Sequence, residues 1–162
     1  MKPPAEQDLH LVDPGQFELE SFLPYRLSLL TNTISQGMAQ GYRLLHDISV
    51  TEWRVLAVLG RFPGLTASEV AERTAMDKVA ISRAVKSLEE KGLLERRTDV
   101  ADRRRQRLVI TRDAGQAVLR EVIPMAQRYE AELVGALDRN ELSRLLKLVT
   151  KLQASAMALN EP

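Results

Sequence analysis

The sequence has no cysteine. Disulfides, thiolate nucleophiles, Cys-ligated zinc and iron–sulfur clusters are therefore excluded. Its only histidines are His10 and His46, too few for a His-rich metal site within one chain, so no metal is expected. Aromatic residues make up 4% of the chain, while Leu and Ala are abundant. That balance favours helices over an all-β sandwich. No apolar run reaches the roughly 18 residues of a membrane span. The opening MKPPAEQDLHLVDPG carries acids and prolines where a secretory signal needs an apolar core, so a cytoplasmic location is expected. G-x-G-x-x-G, P-loop, G-x-S-x-G and H-E-x-x-H motifs are all missing. With so few candidate bases, a nucleophile–base pair is hard to assemble. Neither an enzyme nor a cofactor is expected.

What is present is an uneven charge distribution. The 162 residues carry a formal net charge of +1. Residues 77–107 hold ten Lys/Arg and six Asp/Glu, a net of +4, and the remaining residues sum to −3. Positive charge gathered in one segment suits a phosphate-binding surface.

The hydrophobic pattern divides the chain into segments. Residues 1–16 are polar, with Pro3, Pro4, Pro14 and Gly15, and read as an arm without a core of its own. Residues 17–47 read as a long helix, since Leu23, Leu27, Leu30, Ile34, Met38, Tyr42 and Leu45 recur at steps of three or four. Residues 48–111 hold shorter elements. A helix capped by Thr51 runs to Gly60, where Pro63 and Gly64 follow. Thr66-Ala67-Ser68-Glu69 is a capping box that opens a second helix. A tight turn at 73–75 leads to Asp77, which caps a third helix ending near Lys91, before Gly92. Two strands follow, 93–97 and 106–110, joined by the basic loop TDVADRRR. Residues 112–160 read as two helices, the first capped by Thr111 and containing Pro124. The second opens on Asp138 and Glu141 and carries Leu142, Leu145, Val149, Leu152, Ala156 and Leu159 at alternating steps of three and four. Such a seam normally needs a partner.

On a helical wheel, residues 78–90 place Ala80, Ile81, Ala84, Val85 and Leu88 on one side. Lys78, Val79, Ser82, Arg83 and Lys86 fall on the other. A helix fits the DNA major groove, where Lys and Arg donate to guanine and small apolar groups touch thymine methyls. The alternative is a solvated amphipathic helix with ordinary surface lysines. The hairpin that follows weakens that alternative. Six arginines lie between Arg96 and Arg107, offset within that stretch only by Asp99 and Asp102. A narrow minor groove attracts an inserted arginine. Asp102, two residues before Arg104, is placed to pair with it and fix its direction. A helix pair, a tight turn and a basic β-hairpin follow one another as in a winged helix. The expected fold is mainly α with a small β-hairpin wing, flanked by N- and C-terminal dimerisation helices.

TEWRVLAVLGRFPGLTASEVAERTAMDKVAISRAVKSLEEKGLLER and DRRRQRLVITRDAG together resemble the MarR family of winged helix-turn-helix regulators, over about Phe22 to Leu159. The family's D-x-R signature reads here as Asp102-Arg103-Arg104, followed by Leu108, Ile110, Thr111 and Gly115. The resemblance implies a homodimer that binds a pseudo-palindromic double-stranded DNA operator, with repression the default. It also implies that Ser82, Arg83 and Lys86 contact bases or phosphates, and that Arg104 is the wing arginine oriented by Asp102. The resemblance further implies that Thr66 and Ser68 lie near phosphate at a helix N-terminus. Lys78, Val79, Arg103 and Arg105 complete the expected DNA-binding set.

Many relatives in the family respond to small aromatic acids, to their CoA thioesters or to cysteine oxidation, and the last is excluded here. Arg26, Tyr42, His46, Trp53 and Arg54 are the expected effector-lining residues, with an arginine for a carboxylate and Trp53 for a ring. The competing function is a non-specific architectural DNA-binding protein, which would usually be far more basic than +1.

Overall fold

The computed structural model describes residues 17–160; the N-terminal arm read at 1–16 lies outside the described residues. A 3-10 turn at Leu19–Ser21 precedes α1, Leu23–His46. Then follow α2 (Val50–Arg61), α3 (Ala67–Thr74), α4 (Lys78–Glu90), β1 (Leu94–Thr98), β2 (Gln106–Ile110), α5 (Ala114–Val134) and α6 (Arg139–Leu159). The described residues divide into two compact units, 17–36 and 37–160.

In the first unit, Phe17 and Phe22 meet edge to face with ring centroids 5.0 Å apart. Leu23, Leu27, Leu29 and Leu30 are exposed along α1. The second unit carries the core. Ile48, Val55, Leu56, Val70, Ile81, Val85, Leu88 and Leu108 are fully buried there, and Val118, Leu119 and Val122 of α5 join the same cluster.

The local signals explain most element boundaries. α3 opens on the Thr66 capping box, with Thr66 Oγ1 accepting from the Glu69 backbone N–H and the Glu69 carboxylate accepting from that of Thr66. α6 opens on the reciprocal Asp138–Glu141 box. α2 differs from the expectation. Its cap is Ser49 rather than Thr51, in a reciprocal box with Glu52, and the helix starts at Val50. Thr51 and Ser49 are both good caps, but only Ser49 stands three residues before a glutamate. The helix also continues past Gly60 to Arg61.

Thr111 differs in a related way. The N-cap of α5 is Asp113, whose side chain makes no capping bond. Thr111 Oγ1 instead accepts from the Gly115 N–H and donates to the Gly92 carbonyl, both at 2.8 Å. It ties the start of α5 to the end of α4. Gly92 itself has φ +69°, a left-handed stop that suits glycine.

β1 and β2 pair antiparallel, with Leu94 opposite Ile110 and Thr98 opposite Gln106. The Leu108 N–H also donates to the Leu65 carbonyl, which fastens the hairpin to the segment entering α3. α5 contains Pro124. α6 buries none of its residues within this chain; Leu145, Leu146, Leu148, Val149 and Leu152 are all exposed.

Candidate nucleic-acid interface

The amphipathic reading of α4 holds in three dimensions. Ile81, Ala84, Val85 and Leu88 are buried, whereas Lys78, Val79, Ser82, Arg83 and Lys86 are exposed. The inner face thus seats the helix in the core and leaves the polar face outward. Asp77 Oδ1 accepts from the N–H groups of Val79 and Ala80 at 2.9 and 3.0 Å. At the far end, Lys91 donates to Glu52 at 3.0 Å and to the Asp47 carbonyl. Lys86 stands 3.7 Å from Glu90, one helical turn on. Lys78 and Arg83 have no ion-pair partner among the described residues.

The turn from α3 into α4 passes through Ala75, at φ 52° and ψ 33°. This is the left-handed region, where an L-residue with a Cβ is disfavoured by roughly 1–2 kcal/mol. Its N–H bonds the Glu72 carbonyl and that of Met76 bonds Ala71. These bonds and the buried α4 face hold the turn.

Glu52 is the one buried charged side chain among the described residues. Burial pushes its carboxyl pKa up, but hydrogen bonds from Ser87, Ser49 and Lys91 outweigh that and hold it below the usual 4.5. It therefore remains a carboxylate that joins the start of α2 to the end of α4, and so contributes to the orientation of the exposed face.

The wing arginines fall into distinct groups. Arg96 makes a two-oxygen contact with Glu89 at 3.0 and 3.1 Å. Arg97 pairs with Glu95. Arg105 Nη2 donates to Glu69 Oε1 at 2.7 Å. Arg107 reaches Asp99 at 2.5 Å and the Gly64 carbonyl at 2.9 Å. Asp99 and Asp102 are thus not the only acids that offset the wing; Glu69, Glu89 and Glu95 also do so, from outside the loop or from its first strand. Arg103 has no partner among the described residues. Arg104 is paired with Asp102 at 3.2 Å, yet its side chain is 93% exposed. The loop tip therefore presents Arg103 and Arg104 outward.

The tip has a firm base. Asp99 Oδ1 accepts from the Ala101 and Asp102 N–H groups, and its other oxygen takes Arg107. The Asp102 N–H, the Arg107 guanidinium and the Ala101 N–H hold the Asp99 pKa down to about 2. The same contact raises that of Arg107. Thr66 is half-buried and Ser68 exposed at the start of α3, beside the Glu69–Arg105 pair. Sequence reasoning missed that pair because its partners lie 36 residues apart. It likewise missed Arg107 as a structural clamp, since nothing local separates it from its neighbours.

The expected effector residues lie in different settings. Arg26 belongs to the first unit. Tyr42 is buried and stacks on Trp53, with centroids 6.1 Å apart and planes at 29°. Burial raises the Tyr42 phenol pKa, opposed by Arg54 and Arg43. Trp53 packs against the core cluster, and Arg54 lies 3.7 Å from the Met76 sulfur. His46 Nε2 lies 3.0 Å from the Glu121 carboxylate, without a well-aligned hydrogen bond. A separate groove of about 520 Å3 runs between α2 and α5. Leu119 and Ile123 line it, with Arg61 and Arg120 alongside.

Comparison with known proteins agrees with this geometry. A family model described as MarR family matches residues 46–105, the segment from the end of α1 into the wing loop. Transcriptional regulator HosA of Escherichia coli is 26% identical over 123 residues, covering 76% of this chain and 90% of that protein. A MarR/EmrR family transcriptional regulator from Acinetobacter sp. ADP1 superposes with a TM-score of 0.81 at 25% identity, over 88% of this chain and 99% of that one. The S. aureus MepR–DNA complex superposes with a TM-score of 0.75 at 22% identity, over 85% of this chain and 98% of its own.

Proposed function

We propose that this chain is a MarR-family, DNA-binding transcriptional regulator that binds a pseudo-palindromic operator as a homodimer and represses from it. The observation that carries this reading is the outward α4 face of Lys78, Val79, Ser82, Arg83 and Lys86 beside a wing tip offering Arg103 and Arg104. The helix face matches the donors and methyl contacts that read major-groove edges. The tip matches the arginine that a narrow minor groove attracts, with Asp102 as its orienting acid. Thr66 and Ser68 sit at the N-terminus of α3, where backbone N–H groups favour phosphate.

The exposed leucines of α1 and α6 support the dimer. Isolated exposed leucines are ordinary, but a contiguous apolar helix face marks an interaction surface. A two-fold dimer puts its recognition helices about one DNA turn, roughly 10 bp, apart. A dimer seated over a promoter blocks polymerase, which makes repression the default.

For the effector, a small aromatic acid or its CoA thioester, the α2–α5 groove is the better-supported seat. Its volume lies within the range of ligand pockets, and Arg61 and Arg120 suit a carboxylate. Tyr42 and Trp53, stacked on each other, serve the core in this reading. The effector binds the DNA-free form more tightly than the DNA-bound form. Calorimetry with a panel of aromatic acids and thioesters, repeated with operator present, checks this. Binding that is indifferent to DNA, or no binding at all, refutes effector control.

Selection from random duplex DNA at two salt concentrations tests the main reading. An inverted repeat with half-sites about one turn apart is expected. Weak, uniform, salt-sensitive binding without a motif would favour an architectural DNA-binding protein instead.

A further inference from the structure

The two oxygens of Glu69 serve two different structures. Oε2 accepts from the Thr66 N–H at 2.7 Å and completes the cap of α3. Oε1 takes Arg105 Nη2, also at 2.7 Å. Arg105 meanwhile closes the wing loop through its backbone. Its N–H donates to Asp102 and its carbonyl accepts from Asp99. Its guanidinium is thus drawn to the α3 cap, while its sequence neighbours Arg103 and Arg104 occupy the exposed tip.

We propose that Glu69 withholds Arg105 from DNA, so that the wing meets phosphate through Arg103 and Arg104 alone and the protein's sequence-independent attraction to DNA is kept low. This rests on the DNA-binding reading above. Non-specific binding comes almost entirely from cations that neutralise phosphates. Discrimination between operator and bulk DNA is a difference of affinities. A carboxylate that occupies one guanidinium lowers the non-specific side of that difference without touching the base-reading face of α4. Glu69 also favours its charged form, held there mainly by the Thr66 N–H and secondarily by the Thr66 hydroxyl and the nearby Arg105 and Arg107. The group is therefore ionised wherever the protein is folded near neutrality.

Glu69→Gln separates the two tasks. A glutamine oxygen still accepts from the Thr66 N–H, so the cap survives. Its amide cannot pair ionically with Arg105. The assay is fluorescence-anisotropy titration of the full chain with a labelled mixed-sequence duplex across a salt series, for the parent, E69Q, R105A and E69Q/R105A. Far-UV circular dichroism melts confirm that each is folded.

E69Q is expected to bind the mixed duplex more tightly, with a salt slope steeper by about 0.9, the contribution of one added phosphate contact. Between about 50 and 200 mM salt that gain shrinks by roughly 3.5-fold. R105A alone keeps the parent's affinity and slope, and the double variant returns to them. A slope reduced by about 0.9 in R105A alone overturns the proposal, because Arg105 then already contacts phosphate in the parent. So does an unchanged E69Q, or an E69Q gain that persists with Arg105 removed, which would make Glu69 a bare repelling charge. A folded parent that binds no duplex removes the DNA-binding reading itself. That failure appears before any variant is compared.

Discussion

Gly115 offers a sharp test of how α5 is joined to the winged-helix lobe. A Cβ placed there would lie 2.3 Å from the Leu93 carbonyl oxygen, 2.6 Å from Ile110 Cγ2 and 3.0 Å from Thr111 Oγ1. The nearest obstacle is backbone, so no rotamer change relieves it. Helix propensity alone predicts that Gly115→Ala stabilises by up to about 1 kcal/mol. Overpacking of a well-filled site costs about 1–3 kcal/mol, and moving α5 away also strains the Thr111 bonds to Gly92 and Gly115. Because the nearest obstacle is backbone, the overpacking cost is taken at its upper end of about 3 kcal/mol, and the net expectation after the propensity gain is a loss of about 2 kcal/mol. Gly60→Ala is the control. Its Cβ would meet Leu119 Cδ1 at 3.1 Å, the far end of a flexible side chain, so that variant is expected to match the parent or exceed it by up to about 1 kcal/mol, the helix-propensity gain. Urea denaturation followed by far-UV circular dichroism, at one fixed protein concentration, compares the three. A Gly115→Ala protein as stable as the parent, or more so, refutes the close-approach argument.

Three further outcomes follow from the geometry. Ala75→Gly relieves the left-handed turn before α4 and is expected to raise stability by up to about 1 kcal/mol, read from the same urea midpoints; a loss of stability contradicts the strain. Glu52→Ala strands Lys91 and the Ser49 N–H and is expected to cost about 3 kcal/mol, the low end for a broken buried pair because Lys91 reaches solvent; a cost below about 0.5 kcal/mol, the level of an ordinary surface change, contradicts the joint. The folded-state pKa values of Glu52, Glu69 and Asp99 all lie below their ordinary ones. The stabilisation they supply is therefore fully present above about pH 5 and is lost as pH falls through the folded values toward about 2, and a urea midpoint insensitive to acid across that window contradicts it.

Much of the fold was legible because its signals are local. Two of the three reciprocal capping boxes, at Thr66 and Asp138, are four-residue patterns whose spacing is set by one helical turn. The two faces of α4 follow from a period of 3.6 residues, and Gly92 marks its stop. Asp102 and Arg104 stand close enough in sequence for their pairing to be inferred. What escaped is non-local or depends on competition between equivalent neighbours. Ser49 and Thr51 are both capping residues, and the glutamate three places after Ser49 decides between them. Thr111 reads as a cap of α5, but the backbone enters that helix through Asp113 and frees the hydroxyl to bridge Gly92 and Gly115. The wing arginines look alike in sequence. Only the fold distinguishes Arg107, clamped to Asp99 and Gly64, and Arg105, held by Glu69, from the outward Arg103 and Arg104. The stacking of Trp53 on buried Tyr42 likewise appears only once α1 and α2 are packed.

The most direct test of the central claim is the salt dependence of operator binding by the parent, Arg83→Ala and Arg104→Ala, using the sequence recovered by selection. If α4 reads bases and the wing tip meets the minor groove, Arg83→Ala loses about 1–3 kcal/mol and relaxes preference at one position of each half-site. Arg104→Ala weakens binding to all sequences and lowers the salt slope by about 1. If both variants bind the operator with the parent's affinity, preference and slope, DNA does not dock on this face, and the account is contradicted at its centre.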